Sequence, residues 1–259
     1  LAAGLNADVC EIYSDVDGVY TADPRSVPRA KKIDSVDIES MLELAAAGAK
    51  ILYIRAVEFA RRHKVDLRVR SSFTDNPGTT IYSSGETMEE SIVAGVAVDQ
   101  SQAKITVVGI PDVPGKAAEL FTVVAEAGIN IDMIVQNVAV SNTKLSDISF
   151  TLLAEDLKKA IQALEAAKDR MGFASLQFDE SIGKLSVVGS GMKTHSGVSA
   201  TLFGALAKAG VNIEMISTSE IRISVITRSD QVIEAARVVH SAFGLDGETE
   251  AVVHAGTGR

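Results

Sequence analysis

A short stretch near the amino end, Ser14–Arg25, concentrates hydroxyl and carboxylate side chains that could contact a ligand. It follows the apolar run Val9–Tyr13, which is predicted to be a strand. In open α/β sheets, ligands bind at the carboxyl ends of the strands, so this position favours a binding site. The alternative is a solvated turn, because the Asp-Gly and Asp-Pro pairs of this stretch are frequent turn formers. Composition alone leaves both interpretations open.

A second kind of site is indicated where the loop Ile110–Gly115 leads into a predicted helix. The unpaired N–H groups of a helix N-terminus suit a carboxylate, and Gly115, which lacks a Cβ, lets a ligand approach the backbone. Asp112 could pair with an ammonium group or order the loop, and Gln136 could bond a side-chain hydroxyl. Together these groups match the carboxylate, the ammonium group and the side chain of a free amino acid. The alternative is that Asp112 is only a turn residue.

Three residues that open the following predicted strand are expected to lie beside the same helix end: Asn130, Ile131 and Asp132. Taken alone, Asn130 is explained as well by its place after a helix. Repetition favours the site, because Gly115 and Asn130 recur at equal spacing as Gly197 and Asn212. The second copy has a longer first loop and a shorter connection between its second and third strands. Such loop changes are expected between two copies of one fold.

Each copy is predicted to have the order strand, helix, strand, strand, helix, strand. In the first copy the pattern predicts a strand over Ala103–Gly109, a helix opened by Gly115, a hairpin of Ile131–Asn137 and Asp147–Leu153, a helix over Glu155–Met171 and a strand over Phe173–Phe178. This βαββαβ order is the ferredoxin-like plan, a four-stranded antiparallel sheet with two helices on one face. Met133 and Met215 recur in register and are predicted to be core residues.

Upstream of the repeats, the pattern predicts helices over Ser40–Lys50 and Tyr53–His63, a strand over Asp66–Ser71, a loop region over Phe73–Glu86 and a strand over Ile92–Val98. Ser40 is the expected N-cap of the first helix, and Glu43 would complete a capping box with it. Gly48 lies near the end of that helix. Lys50 lies at or just past the end, where a cation stabilises the helix C-terminus.

The composition is that of a globular protein with room for two or three domains. The 259 residues are 46% hydrophobic and 23% charged, with a formal net charge of −9, which disfavours nucleic-acid and anionic-membrane partners. The one cysteine, Cys10, cannot form an intrachain disulfide and gives no zinc site. No apolar run approaches a membrane span. We therefore expect a cytoplasmic protein, and the start at Leu1 without a methionine predicts a fragment.

Several stretches carry a resemblance to a known family. Ser14–Arg25 resembles the nucleotide-site segment of the aspartate kinases, within the amino-acid kinase family, and Glu43–Lys50 resembles the next motif of that family. The repeated cassette resembles tandem ACT domains, and Ile216–Ser224 is a specific match to the second of them. There are departures: Ser14 stands where the family usually has threonine, and Tyr53–Arg55 differs in its polar pattern. The phosphate loop and the aspartate-binding residues of the family lie upstream of the residues present.

The resemblance implies an α/β and α+β protein. Residues 1–86 would be the C-terminal part of an amino-acid-kinase α/β sandwich, and residues 91–179 and 180–259 would be two ferredoxin-like βαββαβ ACT domains. The implied reaction is the ATP-dependent phosphorylation of L-aspartate to 4-phospho-L-aspartate, with Mg²⁺ accompanying ATP. Feedback by L-threonine, L-lysine or both would control this first step toward lysine, threonine and methionine. The chain alone is expected to be inactive, because it holds only the last part of the kinase domain.

The resemblance also implies two sets of binding residues, with no catalytic or metal-binding residue. The residues expected to contact ATP are Ser14, Asp15, Tyr20, Thr21, Ala22, Asp23, Pro24, Arg25 and Lys50. The residues expected to bind the effector are Asp112, Gly115, Ala117, Asn130, Ile131, Asp132 and Gln136 in the first ACT domain, and Val198, Ser199, Asn212, Ile213, Thr218 and Ser219 in the second. The effector pockets are expected where one ACT domain meets another, often across chains. His195, in the longer loop of the second copy, is assigned no role.

The subunit arrangement stays open at this point. The chain could form a homodimer, or a heterotetramer with a full-length or shorter subunit, through its ACT domains. The main alternative to an enzyme is a non-catalytic amino-acid-sensing subunit that pairs with a separate kinase chain. Met88 could be the internal start of such a shorter chain. The ferredoxin-like plan also serves RNA binding, but the predicted sheet lacks the aromatic signature of that module.

Overall fold

The computed structural model describes residues 1–83, 91–138 and 144–254, and the strands in these ranges form three four-stranded sheets. Met88, the possible internal start, lies outside these ranges. The first sheet has the order β1-β3-β4-β2, with β1 (Val9–Ser14), β2 (Ser35–Asp37), β3 (Asp66–Ser71) and β4 (Thr79–Tyr82). Strands β1 and β3 are parallel, whereas β3 and β4 are antiparallel. Helices α1 (Ile38–Ala47) and α2 (Ile54–His63) share a buried apolar cluster with this sheet.

Helix α1 begins earlier than the sequence pattern predicts. Its N-cap is Asp37 rather than Ser40, and the Asp37 carboxylate accepts a hydrogen bond from the Ser40 N–H at 2.8 Å. Aspartate caps a helix as well as serine does, and Asp37 has the extended backbone that a cap requires. Glu43 forms no capping box and lies 3.0 Å from Arg222 in an ion pair. The prediction that Gly48 ends the helix is confirmed by its left-handed φ of 116°.

The segment predicted as a loop over Phe73–Glu86 contains a strand, and that prediction is wrong there. Strand β4 lies between β3 and β2 and pairs with both. Turn-forming residues on either side of β4 suggest a loop, but its own β-branched residues fit a strand. Ile81 is fully buried, so β4 is an interior strand that holds β2 in the sheet.

Strand β5 (Gly95–Asp99) precedes the first repeat, whose elements follow the predicted order. They are β6 (Gln102–Pro111), α3 (Lys116–Glu126), β7 (Ile131–Val138), β8 (Leu145–Leu153), α4 (Leu157–Ala166), α5 (Lys168–Met171) and β9 (Ser175–Asp179). The antiparallel sheet order β7-β8-β6-β9 confirms the ferredoxin-like prediction. The single helix predicted over Glu155–Met171 is instead two helices, α4 and α5, which meet at Ala167.

The second repeat takes its fourth strand from upstream of the first repeat. Its own elements are β10 (Ile182–Val188), α6 (Val198–Lys208), β11 (Met215–Thr218), β12 (Arg222–Arg228) and α7 (Val232–Ala242). Strand β5 pairs antiparallel with β10, with Val96 opposite Val187, and the sheet order is β11-β12-β10-β5. The predicted boundary at residue 91 is therefore corrected, because β5 belongs to the second sheet and the first repeat is inserted between β5 and β10. Strand β5 occupies the place that β9 has in the first sheet.

The helix-free faces of the two repeat sheets pack against each other. The buried cluster between them contains Met133, Ile182, Met215 and Ile226, with Val135 at its edge. Met133 and Met215 are 1% and 7% exposed, which confirms the prediction that the recurring methionines are core residues. The two repeats therefore share an apolar interface within one chain.

Two ion pairs cross this interface reciprocally. Lys104 of the first repeat pairs with Glu214 of the second, and Lys184 of the second repeat pairs with Asp132 of the first. The two lysines hold equivalent strand positions in the two copies, and so do the two acids. The interface therefore approximates a twofold axis. Lys184 is the more deeply buried lysine, with a side chain 2% exposed, and Asp99 of β5 lies 3.8 Å from its Nζ.

The remaining part of the second sheet's helix-free face is covered by α1. Ala97 of β5 and Val188 of β10 belong to the same buried cluster as Met41 and Leu44 of α1. The close approach depends on Gly48 at the helix end, because a Cβ there would lie 2.6 Å from the Val98 carbonyl oxygen. The second repeat thus contacts both the first repeat and the upstream unit.

Replacing Lys184 with methionine should cost more stability than the same change at Lys104. Loss of the Lys184 ammonium leaves Asp132 and Asp99 without their shared cation, whereas Glu214 keeps Arg228 at 3.8 Å when Lys104 is replaced. We expect Lys184→Met to lower the free energy of unfolding by about 3 kcal/mol, and Lys104→Met by about 1 kcal/mol or less.

Urea unfolding of the two variants measures this difference. The double variant Lys184→Met/Asp132→Leu should recover part of the loss, because a packed apolar pair can replace a buried ion pair at little cost. Equal losses for the two single variants would contradict the unequal burial of the two ion pairs.

Candidate functional site

The predicted nucleotide-contact residues begin at the carboxyl edge of the first sheet. Strands β1 and β3 are parallel, and Ser14 lies opposite Ser71, so both strands end at this edge. The Ser14 hydroxyl donates to Asp15 at 3.1 Å, and the Ser14 carbonyl accepts the Ser72 N–H at 2.8 Å. This edge of an open α/β sheet is the usual place for a ligand.

Asp17 is held at this edge by three side chains. Thr74 Oγ1 donates to the Asp17 carboxylate at 2.8 Å, Asn76 Nδ2 donates at 2.9 Å, and His254 Nε2 lies at 3.2 Å. Burial by itself would raise the pKa of Asp17, but these hydrogen bonds outweigh it and hold the pKa below its ordinary value. Asp17 therefore carries a fixed negative charge at neutral pH.

The carboxyl-terminal segment covers part of the same edge. The His254 N–H donates to the Asp15 carbonyl at 2.9 Å, and the His254 ring stacks on Phe73 with 5.6 Å between centroids. Val253 pairs with Val16 as an isolated bridge. No local sequence pattern indicates this contact, because it joins opposite ends of the described chain.

Arg25 presents the cation of the predicted nucleotide segment. Its guanidinium lies 2.6 Å from the Asp15 carboxylate and 3.7 Å from Asp23, and its side chain is 57% exposed. The structure thus brings Asp15, Asp23 and Arg25 together at the surface, with Pro24 between the last two. Lys50 is exposed in the turn that follows α1, where the pattern places it.

Thr21 and Ala22 face the interior, contrary to the prediction that they contact a nucleotide. Thr21 Oγ1 lies 2.8 Å from His240 Nε2, the Thr21 N–H donates to the Lys31 carbonyl, and the Thr21 carbonyl accepts the Val96 N–H. Ala22 lies in the apolar cluster of the second repeat. The second repeat covers these two residues, so their side chains are unavailable to a ligand at the exposed edge. Tyr20 is half-buried, and burial followed by the charge of Asp17 raises its pKa.

The second repeat contains a cleft at the N-terminus of α6. The cleft has a volume of about 290 Å³, close to the lower end of the range for small-molecule sites. Among the residues that line it are four of those predicted for the second effector site: Val198, Ser199, Thr218 and Ser219. Gly197, the N-cap of α6, has a φ of 98° and open space beside its Cα. The cleft therefore joins a helix N-terminus to the end of β11.

Asn212 and Ile213 lie at the opposite edge of the second sheet, so within the chain they do not line this cleft. Strands β10 and β11 both pair antiparallel with β12, so they run in the same direction and α6 runs back between them. The start of β11 is therefore distant from the N-terminus of α6. The Asn212 carbonyl accepts a hydrogen bond from Thr227 Oγ1 at 2.8 Å.

The first repeat separates its predicted effector residues in the same way. Gly115 and Ala117 at the start of α3 share one edge with Asp112, whose N–H donates to the Lys144 carbonyl at 2.8 Å. Gln136 Nε2 donates to Ser146 Oγ at 3.3 Å near this edge. The opposite edge holds the other three predicted residues: Asn130, Ile131 and Asp132. The prediction that these three lie beside the helix N-terminus is wrong within the chain, and Asp132 is already paired with Lys184.

Six further residues line the cleft of the second repeat without having been among the predicted effector residues: Met192, His195, Ser196, Gly197, Glu220 and Ile223. His195 Nδ1 lies 2.9 Å from the Gly191 carbonyl, and Glu220 pairs with Lys193 at 2.7 Å. The greater length of this loop in the second copy is the sequence signal that could have identified it. A loop that gains residues beside a helix N-terminus has room to enclose a ligand.

Neither a metal-binding cluster nor a membrane-spanning helix occurs within the described ranges. Among residues 1–83, 91–138 and 144–254, no group of three or more His, Cys, Asp or Glu side chains could hold a metal ion. In the same part of the chain, no helix is long and apolar enough to cross a membrane.

Comparison with family models identifies the two kinds of unit. Residues 1–71 match the amino acid kinase family, and residues 105–167 and 185–243 match the ACT domain. The aspartokinase of Mycolicibacterium smegmatis is 53% identical to the chain, and the aligned region is 100% of this chain and 62% of the relative. The chain therefore spans less than two thirds of the length of this relative.

Solved structures share the fold. The regulatory subunit of aspartate kinase from Thermus thermophilus, in its ligand-free form, is 41% identical with a TM-score of 0.55, over 59% of this chain and 99% of that subunit. E. coli aspartokinase III in complex with aspartate and ADP is 24% identical with a TM-score of 0.80, over 93% of this chain and 53% of that protein. The second likeness concerns the fold alone.

Replacing Asp17 with asparagine should reduce stability in a pH-dependent way. The folded-state pKa of Asp17 is lowered, so its ionised form contributes stability above the unfolded-state pKa, and that contribution is lost as the pH falls through the folded-state value. We expect Asp17→Asn to lose about 1 kcal/mol at pH 7, and the deficit should shrink below about pH 4. Asp75→Asn, at an exposed position between Thr74 and Asn76 in the neighbouring β3–β4 loop, is the matched control and should change little. Urea unfolding between pH 7 and pH 3 measures both; a deficit that does not vary with pH would contradict the ionised role of Asp17.

Proposed function

Because the chain belongs to the aspartate kinase family, we propose that it is the carboxyl-terminal, regulatory portion of an enzyme that transfers the γ-phosphoryl group of ATP to the side-chain carboxylate of L-aspartate. The product is 4-phospho-L-aspartate. The M. smegmatis relative is longer than this chain, which spans 62% of it, so the reaction is proposed for the complete protein. The residues that bind aspartate and the phosphate loop are expected in its upstream part.

The exposed half of the Ser14–Arg25 segment supports a contribution to ATP binding. Phosphoryl transfer depends on positioning and on neutralising charge more than on covalent participation by the protein. The exposed Arg25 guanidinium, now on Asp15, can exchange that carboxylate for a phosphate of similar geometry. Ser14, Tyr20, Asp23, Pro24 and Lys50 remain proposed contacts. The buried residues Thr21 and Ala22 are proposed to hold the segment against the second repeat.

Magnesium is proposed to arrive with ATP, bound by its phosphate oxygens. The carboxylates at this edge do not by themselves fit a metal site, since Asp15 is paired with Arg25 and Asp17 accepts hydrogen bonds from Thr74 and Asn76. What this chain contributes near the phosphates is therefore a cation and hydroxyl groups, which orient and neutralise the nucleotide.

One observation carries the regulatory part of the proposal: the cleft in which the N-terminus of α6 meets hydroxyls and a carboxylate. The free N–H groups of the helix suit the carboxylate of an amino acid. Glu220 can pair with its ammonium group, and Ser199 and Thr218 can bond a polar side chain. We assign L-threonine, L-lysine or both to this cleft as feedback effectors.

The second repeat is well placed to pass effector binding to the rest of the protein. It packs against α1 and the Thr21 segment on one side and against the first repeat on the other. An effector that binds one arrangement of these units more tightly shifts the population toward it, and we propose that the favoured arrangement is inactive. Subunits are proposed to associate through ACT domains, as a homodimer or as a heterotetramer with a full-length or shorter chain.

Calorimetric titration with L-threonine and with L-lysine tests the effector site. We expect heat and saturation with at least one of them at millimolar concentration. Ser199→Ala and Thr218→Val should each weaken binding by about tenfold, because each removes a hydroxyl that faces the ligand.

Asn212→Ala is the matched control for these variants. Asn212 is an exposed residue of the same repeat but lies at the opposite edge of the sheet, so this change should leave affinity unaltered. Absence of heat with both amino acids would contradict the site, and so would an equal loss of affinity in Asn212→Ala.

The second candidate function is a non-catalytic regulatory subunit. It is favoured by the match to 99% of the length of a subunit described as the regulatory subunit of aspartate kinase. A phosphoryl-transfer assay with ATP and L-aspartate separates the candidates, run first with this chain alone and then with the full-length protein. We expect activity in the full-length protein only. Absence of activity in the full-length protein, together with a change in the kinetics of a separate kinase when this chain is added, would favour the subunit.

A further inference from the structure

The segment that carries the proposed nucleotide contacts has a buried side, which rests on the second repeat. Ala22, Val27 and Ala30 belong to the same apolar cluster as Val239 of α7. A hydrogen bond from a side chain to the backbone continues the attachment, with Arg237 Nε donating to the Ser26 carbonyl at 2.8 Å. The regulatory unit is therefore in direct contact with the segment whose exposed side holds Asp23 and Arg25.

His240 is the polar centre of this contact. It is fully buried, with Nε2 at 2.8 Å from Thr21 Oγ1 and Nδ1 at 2.9 Å from Asp246 Oδ1. Asp246 also accepts a hydrogen bond from Ser241 Oγ at 2.8 Å. Burial lowers the pKa of His240 more than Asp246 raises it, so the ring is neutral at pH 7.

The chemistry of the neighbours fixes the direction of these hydrogen bonds. The Asp246 carboxylate can only accept, so Nδ1 carries the proton of the neutral ring and donates to it. Nε2 must then accept, and the Thr21 hydroxyl donates to it. Thr21 Oγ1 in turn accepts the Lys31 N–H at 2.9 Å. The Leu245 carbonyl is a second acceptor for the Thr21 hydroxyl at 3.3 Å, and the shorter contact of 2.8 Å with Nε2 is the stronger hold on Thr21.

Three parts of the chain hold Thr21 in place. Besides His240, its carbonyl accepts the Val96 N–H of β5 at 2.7 Å, and its N–H donates to the Lys31 carbonyl at 2.9 Å. Gly95 permits this proximity, because a Cβ there would lie 2.8 Å from the Thr21 carbonyl oxygen. Asp23 and Arg25 follow within four residues, so the orientation of Thr21 sets where they emerge.

We propose that His240, oriented by Asp246, is a positioning residue that holds Thr21 and thereby presents Asp23 and Arg25 to the nucleotide. The proposal rests on the nucleotide site proposed above. His240 and Thr21 are 0% and 7% exposed, so neither reaches a substrate, and the histidine acts through the position of the loop. It also gives the second repeat a direct contact through which it can alter nucleotide affinity.

Steady-state kinetics of the full-length enzyme tests the role of His240. His240→Leu removes the nearer acceptor for the Thr21 hydroxyl and should raise the KM for ATP about fivefold, with kcat and the KM for aspartate changed less than about twofold. Thr21→Val should give the same result, because it removes the donor and keeps the shape. His240→Gln, which can place an acceptor near the position of Nε2, should restore most of the affinity for ATP.

Val239→Ala is the matched control. Val239 is the fully buried neighbour on α7 and packs on the same cluster without a polar contact to Thr21. We expect it to lower stability, as His240→Leu does, while leaving the KM for ATP unchanged. An unchanged KM in both His240→Leu and Thr21→Val, or an equal rise in Val239→Ala, would overturn the positioning role alone. Failure of the wild-type enzyme to bind ATP would overturn the nucleotide site as well.

Discussion

The pairing of β5 with β10 is the contact on which the arrangement of the chain depends. A ferredoxin-like sheet needs four strands, and the second repeat supplies only three of its own. Strand β5 fills the open edge and lies directly after the upstream unit, so its pairing draws that unit against the second repeat. Two contacts join the upstream unit to β5. The end of α1 lies against Val98, and the Thr21 carbonyl accepts the Val96 N–H. The first repeat is then a complete sheet inserted between two paired strands.

The interface between the repeats is formed by residues at equivalent positions of the two copies. Equivalent lysines and carboxylates cross it in both directions, around two equivalent methionines. Asp132, which could have received an effector ammonium, is engaged with Lys184 instead. The two repeats are not equivalent at their helix N-termini, because the lengthened loop of the second encloses a cleft with Thr218 and Ser219. The cleft therefore lies on the copy that contacts both the upstream unit and the first repeat.

The segment after β1 has an exposed side and a buried side. Its exposed side carries Arg25 in ion pairs with Asp15 and Asp23, whereas its buried side carries Thr21 and Ala22. The buried side is held by hydrogen bonds, among them the contact between Thr21 and His240, and by apolar packing on α7. For the nucleotide site that we propose, such support would meet the cost of ordering the loop before the nucleotide binds.

The sequence by itself determined the features that depend on local spacing. The duplication, the βαββαβ order of the first copy, the left-handed Gly48 and the buried Met133 and Met215 all follow from periodicity and from the demands of single residues. Only the tertiary structure decided which strand completes the second sheet, because an alternating apolar run fits any open edge equally well. It also decided that Asn130 and Asn212 lie away from the helix N-termini, since that follows from the direction in which paired strands run. The tertiary structure also decided the burial of Thr21 against His240, because this contact joins residues that are far apart in the sequence.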